Sequence, residues 1–193
     1  MKKIGLALIG VVLCSLVNLR LRAQEVQSIE VESRVGITFP LGDYFNGNTS
    51  IGPSLGLELR YNVPKSSWDC GLALNVTTAV RKYYLHDSTF YEQSNRSVNV
   101  VLFGDYNFRQ ARKFNPYVGC GVGISLYDVV NEVVYDAQGL SFAFQPRFGV
   151  ELFRHLRFGV SFLVNRKGYN NVEFSLGLVL GGRPKKSKSI ISN

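Results

Sequence analysis

Histidine, methionine, tryptophan and cysteine are all scarce. The chain of 193 residues has two histidines, one methionine, one tryptophan and three cysteines. So few cysteines exclude a disulfide-dense scaffold, and their positions offer no metal-ligand spacing. No Gly-x-Ser-x-Gly motif and no phosphate loop sits in a strand-to-helix context. Gly119-Cys120-Gly121-Val122-Gly123 reads instead as a strand with small residues on one face. Low-complexity runs are absent, and no helical periodicity is convincing beyond the N-terminal segment. Neither a cofactor nor a metal is expected.

Long apolar runs are also missing, with one exception. Lys2 and Lys3 precede an apolar stretch from Ile4 to Val17, and a short polar segment ends at Ala23-Gln24. That is the layout of a secretory signal peptide spanning 1–23. The stretch is short for a transmembrane helix. Leu13 before Cys14 argues against lipoprotein processing. The net charge of +8 is concentrated at the two ends. Lys2, Lys3, Arg20 and Arg22 lie in the signal, and Arg183, Lys185, Lys186 and Lys188 lie in a basic tail, 183–193. Removing these eight from 22 bases leaves 14, equal to the 14 acids. The body, 24–182, is neutral, which excludes a nucleic-acid-binding surface.

What the body has is alternation. Ile29, Val31, Val35, Ile37 and Phe39 interleave with Glu30, Glu32, Arg34, Gly36 and Thr38. Period two marks a strand with one apolar face. The same pattern predicts eight strands: Ile29–Phe39, Ile51–Val63, Trp68–Tyr84, Ser97–Phe108, Pro116–Tyr127, Leu140–Leu152, Arg157–Asn165 and Val172–Gly181. Long loops are expected at Pro40–Asn48, His86–Ser94 and Asp128–Gly139, with tight turns between. Eight strands with short connections predict an all-β, up-and-down antiparallel barrel, because closure removes sheet edges.

Two features set which face points inward. The polar face is rich in glycine, as a narrow eight-stranded lumen requires and a soluble surface does not. Aromatics gather at strand ends: Tyr61, Trp68, Tyr106, Phe108, Tyr117 and Phe158 near the turns, and Phe39, Tyr83, Tyr84, Tyr127, Phe142 and Tyr169 near the loops. Two such belts mark bilayer interfaces. The apolar face is therefore expected to meet lipid in a transmembrane barrel of the bacterial outer membrane. Cys70 and Cys120 fall on that face, too far apart to bond, and are expected to act as buried, small apolar residues.

The polar face carries charges of both signs. Glu30, Glu32, Arg34, Glu58, Arg60, Asp105, Arg147 and Glu151 are expected to form a lumenal network. Shielded charges must pair, and a register setting Glu32 by Arg60 and Glu58 by Arg34 satisfies four of them. A lumen so filled is a plug rather than a pore. Tyr44, Phe45, Phe90, Tyr91, Tyr135 and Tyr169 are the loop residues expected to meet a partner.

Pro40-Leu41-Gly42-Asp43-Tyr44-Phe45, with the first strand and the signal, resembles the small outer-membrane barrel family of Bacteroidetes. In shape the chain is similar to the OmpA/OmpX type of eight-stranded barrel. The resemblance implies outer-membrane lipids as partners and a structural or surface-interaction role. Some similar barrels belong to secretion and gliding assemblies, which implies another envelope protein as an alternative partner. Asp87-Ser88-Thr89 has the form of an O-glycan acceptor in this group, by resemblance alone. The chain departs from outer-membrane barrels at its end, where Leu180-Gly181-Gly182 replaces a terminal aromatic. Lipid-modifying barrels need serine, histidine and acid together at the outer interface. His86 beside Asp87 and Ser88 is too close in sequence to form such a set, and His155 lies in a turn, so no enzyme is expected.

Overall fold

A computed structural model describes residues 28–41, 49–64, 66–84, 90–109, 113–131, 137–165 and 170–181. Eight antiparallel strands close into a barrel. They are β1 (Ile29–Leu41), β2 (Thr49–Ser50 and Gly52–Asn62, broken at Ile51), β3 (Trp68–Tyr84) and β4 (Phe90–Asn107). They continue with β5 (Phe114–Asn131), β6 (Ala137–Leu152), β7 (Leu156–Leu163) and β8 (Asn170–Gly181). Each pairs with the next, and β8 returns to β1 with Val31 opposite Leu180. The break in β2 is a bulge. Ser50 pairs with Val80 and Ser54 with Thr77, so β2 spends one extra residue there.

The register fixes the shape of the cylinder. From Val35, partners run through Leu55, Val76, Val98 and Leu126 to Leu140 of β6. In the other direction they run through Leu176 and Phe158 to Val150 of the same strand. The two paths meet 10 residues apart, which is the shear of the barrel. With eight strands this gives a tilt of about 40° and an interior only wide enough for side chains.

Polarity is inverted relative to a soluble protein. On β2, Ser54, Glu58 and Arg60 are at most 2% exposed, whereas Leu55, Leu57 and Leu59 are 43–53% exposed. The other strands follow the same rule, so leucine, valine and phenylalanine form a continuous outer wall. Around its turn end, Trp68, Tyr106 and Phe108 stack edge to face on the outside, with ring centroids 5.2 Å apart. Phe39 and Phe174 meet in the same way nearer the loops, at 5.6 Å.

Three expectations need correction. Tyr117 and Tyr127 belong to neither belt; both are buried in the lumen, on the polar side of β5. Cys70 and Cys120 are exposed on the outer wall rather than buried. They flank Gly104, which pairs with both, so one strand separates them. Finally, the segments expected as long loops are strand wherever they are described. Phe90–Ser94 belongs to β4, Asp128–Asn131 to β5 and Ala137–Gly139 to β6. Asn170 and Asn171 likewise extend β8. The asymmetry expected in loop length is thus one of strand length. The strands β3 to β6 have 17, 18, 18 and 16 residues, against 13, 11, 8 and 12 for β1, the long part of β2, β7 and β8. The signal segment and the basic tail lie outside the described residues.

The lumenal charge network as the candidate functional site

Alternation delivers charged side chains into the lumen from seven strands, and cylinder curvature brings them together. Glu58 of β2 is the centre. Arg147 of β6 reaches it across the barrel in a two-pronged contact, Nη1 to Oε1 at 2.7 Å and Nη2 to Oε2 at 2.9 Å. Arg34 of β1 donates to Glu58 and to Asn75 of β3. Arg60 lies 3.4 Å from Glu58, donates to Glu30 at 2.9 Å, and donates to Glu32. In the register Glu30 faces Arg60 and Glu32 faces Glu58, so the Arg34–Glu58 and Arg60–Glu32 contacts run diagonally. The register expected to set Glu32 by Arg60 and Glu58 by Arg34 is thereby corrected: Glu32 and Glu58 stand directly opposite each other, and Arg60 lies against both. Asp105 accepts from Arg157, and its Oδ1 forms an ion pair with Nε of Arg147 at 3.1 Å. Glu151 stands 3.9 Å from Arg60.

Three members of the network were not assigned from sequence: Asp69, Arg157 and Glu173. Asp69 accepts from Asn107 at 2.7 Å. Glu173 accepts from Ser54 at 2.8 Å and lies 3.8 Å from Arg34. Arg157 lies over the Tyr117 ring, 3.5 Å from its centroid, while Arg147 sits 4.2 Å above Phe103. Aromatic faces attract cations, so the inward Tyr117 supports a guanidinium. The signal for all three was present, since each lies on the polar phase of its strand.

Above the charges, toward the loop end, the lumen turns to neutral polar groups. Thr77 and Ser97 hydroxyls are 2.6 Å apart, and Gln145 donates to Ser161 at 3.2 Å. Below them sits a small apolar patch of Ala73, Val101 and Phe103.

Of the loop candidates, Phe90 and Tyr91 lie in β4, paired with Tyr84 and Tyr83 of β3. Tyr44, Phe45, Tyr135 and Tyr169 lie outside the described residues, as does His86. His155 is in the β6–β7 turn with Nδ1 3.2 Å from the Val179 carbonyl oxygen. Among the described residues no group of histidine, cysteine and acid has the arrangement of a metal site.

A barrel with an apolar outer wall and ion pairs inside is stable only where the outside is hydrocarbon. Inverted polarity, eight strands and a shear of 10 therefore define an outer-membrane β-barrel. A solved structure shares this fold. Neisserial surface protein A superposes with a TM-score of 0.55 at 13% identity, over 80% of this chain and 97% of that one. The attachment invasion locus protein Ail of Yersinia pestis, solved with a heparin analogue, gives 0.47 at 12% over 80% and 100%. The N-terminal barrel domain of Pseudomonas aeruginosa OprF gives 0.43 at 13% over 80% and 98%. No protein-family model matches the chain, and no curated protein matches it in sequence.

Proposed function

We propose that this is a non-conducting, non-catalytic outer-membrane barrel that acts through its surface. The observation that carries the reading is the tall wall formed by β3 to β6. The β7 strand ends at Leu163, with one further bridge from Val164 to Phe144 of β6. The β6 strand continues from there to Ala137, and β3 and β4 stay paired as far as Tyr84 and Phe90. Among the described residues, four paired strands thus stand beyond the rest of the rim. Rigid, hydrogen-bonded strands present side chains at lower entropic cost than loops do. Along that wall the register pairs Tyr83 with Tyr91 and Tyr84 with Phe90.

The test trims the β3–β4 hairpin, joining Thr78 to Arg96 by an Asn-Gly turn. The trimmed barrel is expected to keep its heat-modifiable gel mobility but to lose envelope proteins that the full chain retains in mild detergent. Identical sets of retained proteins from both forms would sink the surface role. Membership of a secretion or gliding assembly would appear in the same experiment as a stable periplasmic partner kept by both forms.

A further inference from the structure

Two neighbouring turns at the turn end of the barrel are built alike. Phe108 and Phe114 flank the β4–β5 turn, and Phe153 opens the β6–β7 turn; all three rings are 51–61% exposed. Arg109 and Lys113 are exposed next to the first two rings, and Arg154 follows the third. Neither turn, 108–116 or 152–156, contains an acid. Cations at the edge of a wall that meets hydrocarbon attract anionic headgroups.

The two turns are fixed in place and fastened to each other. Arg109 N–H donates to Asn115 Oδ1 at 3.1 Å, and Asn115 Nδ2 donates to Asn107 Oδ1 at 2.9 Å. Phe153 N–H donates to the Lys113 carbonyl oxygen at 2.7 Å, which ties the second turn to the first. His155 N–H closes the second turn on the Leu152 carbonyl oxygen at 3.1 Å, with Phe153 and Arg154 at φ 53° and 69°. Positive φ at both central positions of a tight turn favours Asn-Gly, and larger residues there are strained. Strain of this kind persists only where surrounding contacts impose it, and it gathers at ligand clamps. Here it sets a large ring and a guanidinium next to the basic β4–β5 turn.

We propose that these two turns form a binding site for the phosphate of an anionic phospholipid. Arg109 offers the phosphate a fork of donors and Lys113 a point charge, while Arg154 adds to the positive field. Phe108, Phe114 and Phe153 cover the glycerol and the first methylenes of the acyl chains. The occupant is a lipid rather than a free ion because the rings continue the apolar wall. Phe108 stacks on Tyr106, and Tyr106 on Trp68, each with centroids 5.2 Å apart. The site lies at the opposite end from the tall wall of β3 to β6 and stands independently of the role proposed for it.

Trp68 is the chain's one tryptophan and lies in the same aromatic row, so its emission reports which lipid sits there. The full chain is refolded into phosphatidylcholine vesicles carrying a minor fraction of brominated lipid. Brominated phosphatidylglycerol is expected to quench as a ligand about fivefold tighter than brominated phosphatidylcholine, the effect of one basic residue at an anionic lipid surface. Arg109→Gln together with Lys113→Gln is expected to abolish that preference and to keep heat-modifiable mobility. Arg96→Gln, exposed at the loop end of β4, is expected to leave the preference intact. Equal quenching by both lipids, or a preference that survives the double substitution, overturns the proposal. So does a preference that Arg96→Gln removes equally, since charge anywhere on the barrel would then suffice. Inorganic phosphate in place of chloride at equal ionic strength is expected to change nothing; loss of the preference would mean that a free anion fills the site, and the proposal fails.

Discussion

Glu58 is 1% exposed and contacts three guanidinium groups. Removing it leaves Arg34 and Arg147 buried without their main counter-charge. Breaking a buried pair from one side costs about 3–5 kcal/mol. Glu58→Ala is therefore expected to lower the folding free energy, read from urea titration of refolding into lipid vesicles, by that amount. Arg147→Ala added to it is expected to cost less than the sum of the two, by more than about 1 kcal/mol; additive losses would show that the two-pronged contact stabilises nothing. At this scale the sequence revealed which residues carry charge inward, because a polar phase opposite a lipid-facing phase leaves little choice. It did not reveal that Arg157 meets Asp105, 52 positions away. That contact depends on curvature across the lumen, which alternation along one strand does not encode.

The lumen's width shows most clearly in two glycines on opposite faces. A Cβ on Gly149 would fall 2.0 Å from the Phe158 carbonyl oxygen and 2.6 Å from the Tyr117 hydroxyl. One on Gly104, which faces outward, would meet only the Asp69 carbonyl oxygen, at 3.7 Å. Gly149→Ala is expected to destabilise the barrel by about 1–3 kcal/mol through overpacking, while Gly104→Ala changes it by less than about 0.5 kcal/mol. Thermal unfolding followed by gel mobility separates them; equal effects would contradict the close approach of Tyr117. Strand existence was legible throughout for the reason that lipid imposes a sharp apolar phase. Strand ends were not. Phe90–Ser94 and Asp128–Asn131 carry no alternation, and hydrogen bonds to a neighbour alone make them strands. Tyr117 and Tyr127 misled for a related reason: an aromatic near a strand end suits a belt, yet its phase on β5 points it inward.

For the whole molecule, the outer wall and the filled interior make separate demands. Leu176 is 43% exposed on the apolar band. Arginine there is expected to cost about 2–4 kcal/mol in bilayer refolding, and a neutral result would mean that this wall does not meet hydrocarbon. The filled interior predicts that the reconstituted barrel gives no stable single-channel steps in a planar bilayer. Regular steps with the intact chain would show that the arginine–carboxylate layer does not seal it.

The contact between Glu58 and Arg147 joins residues 89 positions apart, on β2 and β6, over the hollow of the cylinder. A partly zipped sheet cannot make it, since those two strands approach only when β1 and β8 have met. Until that seam joins, Glu58 has only Arg34 and Arg60 beside it, and Arg147 lacks its two-pronged partner. Half-assembled sheets are thus penalised and the finished ring is rewarded in a single step, so insertion into the bilayer and completion of the ring are one cooperative event.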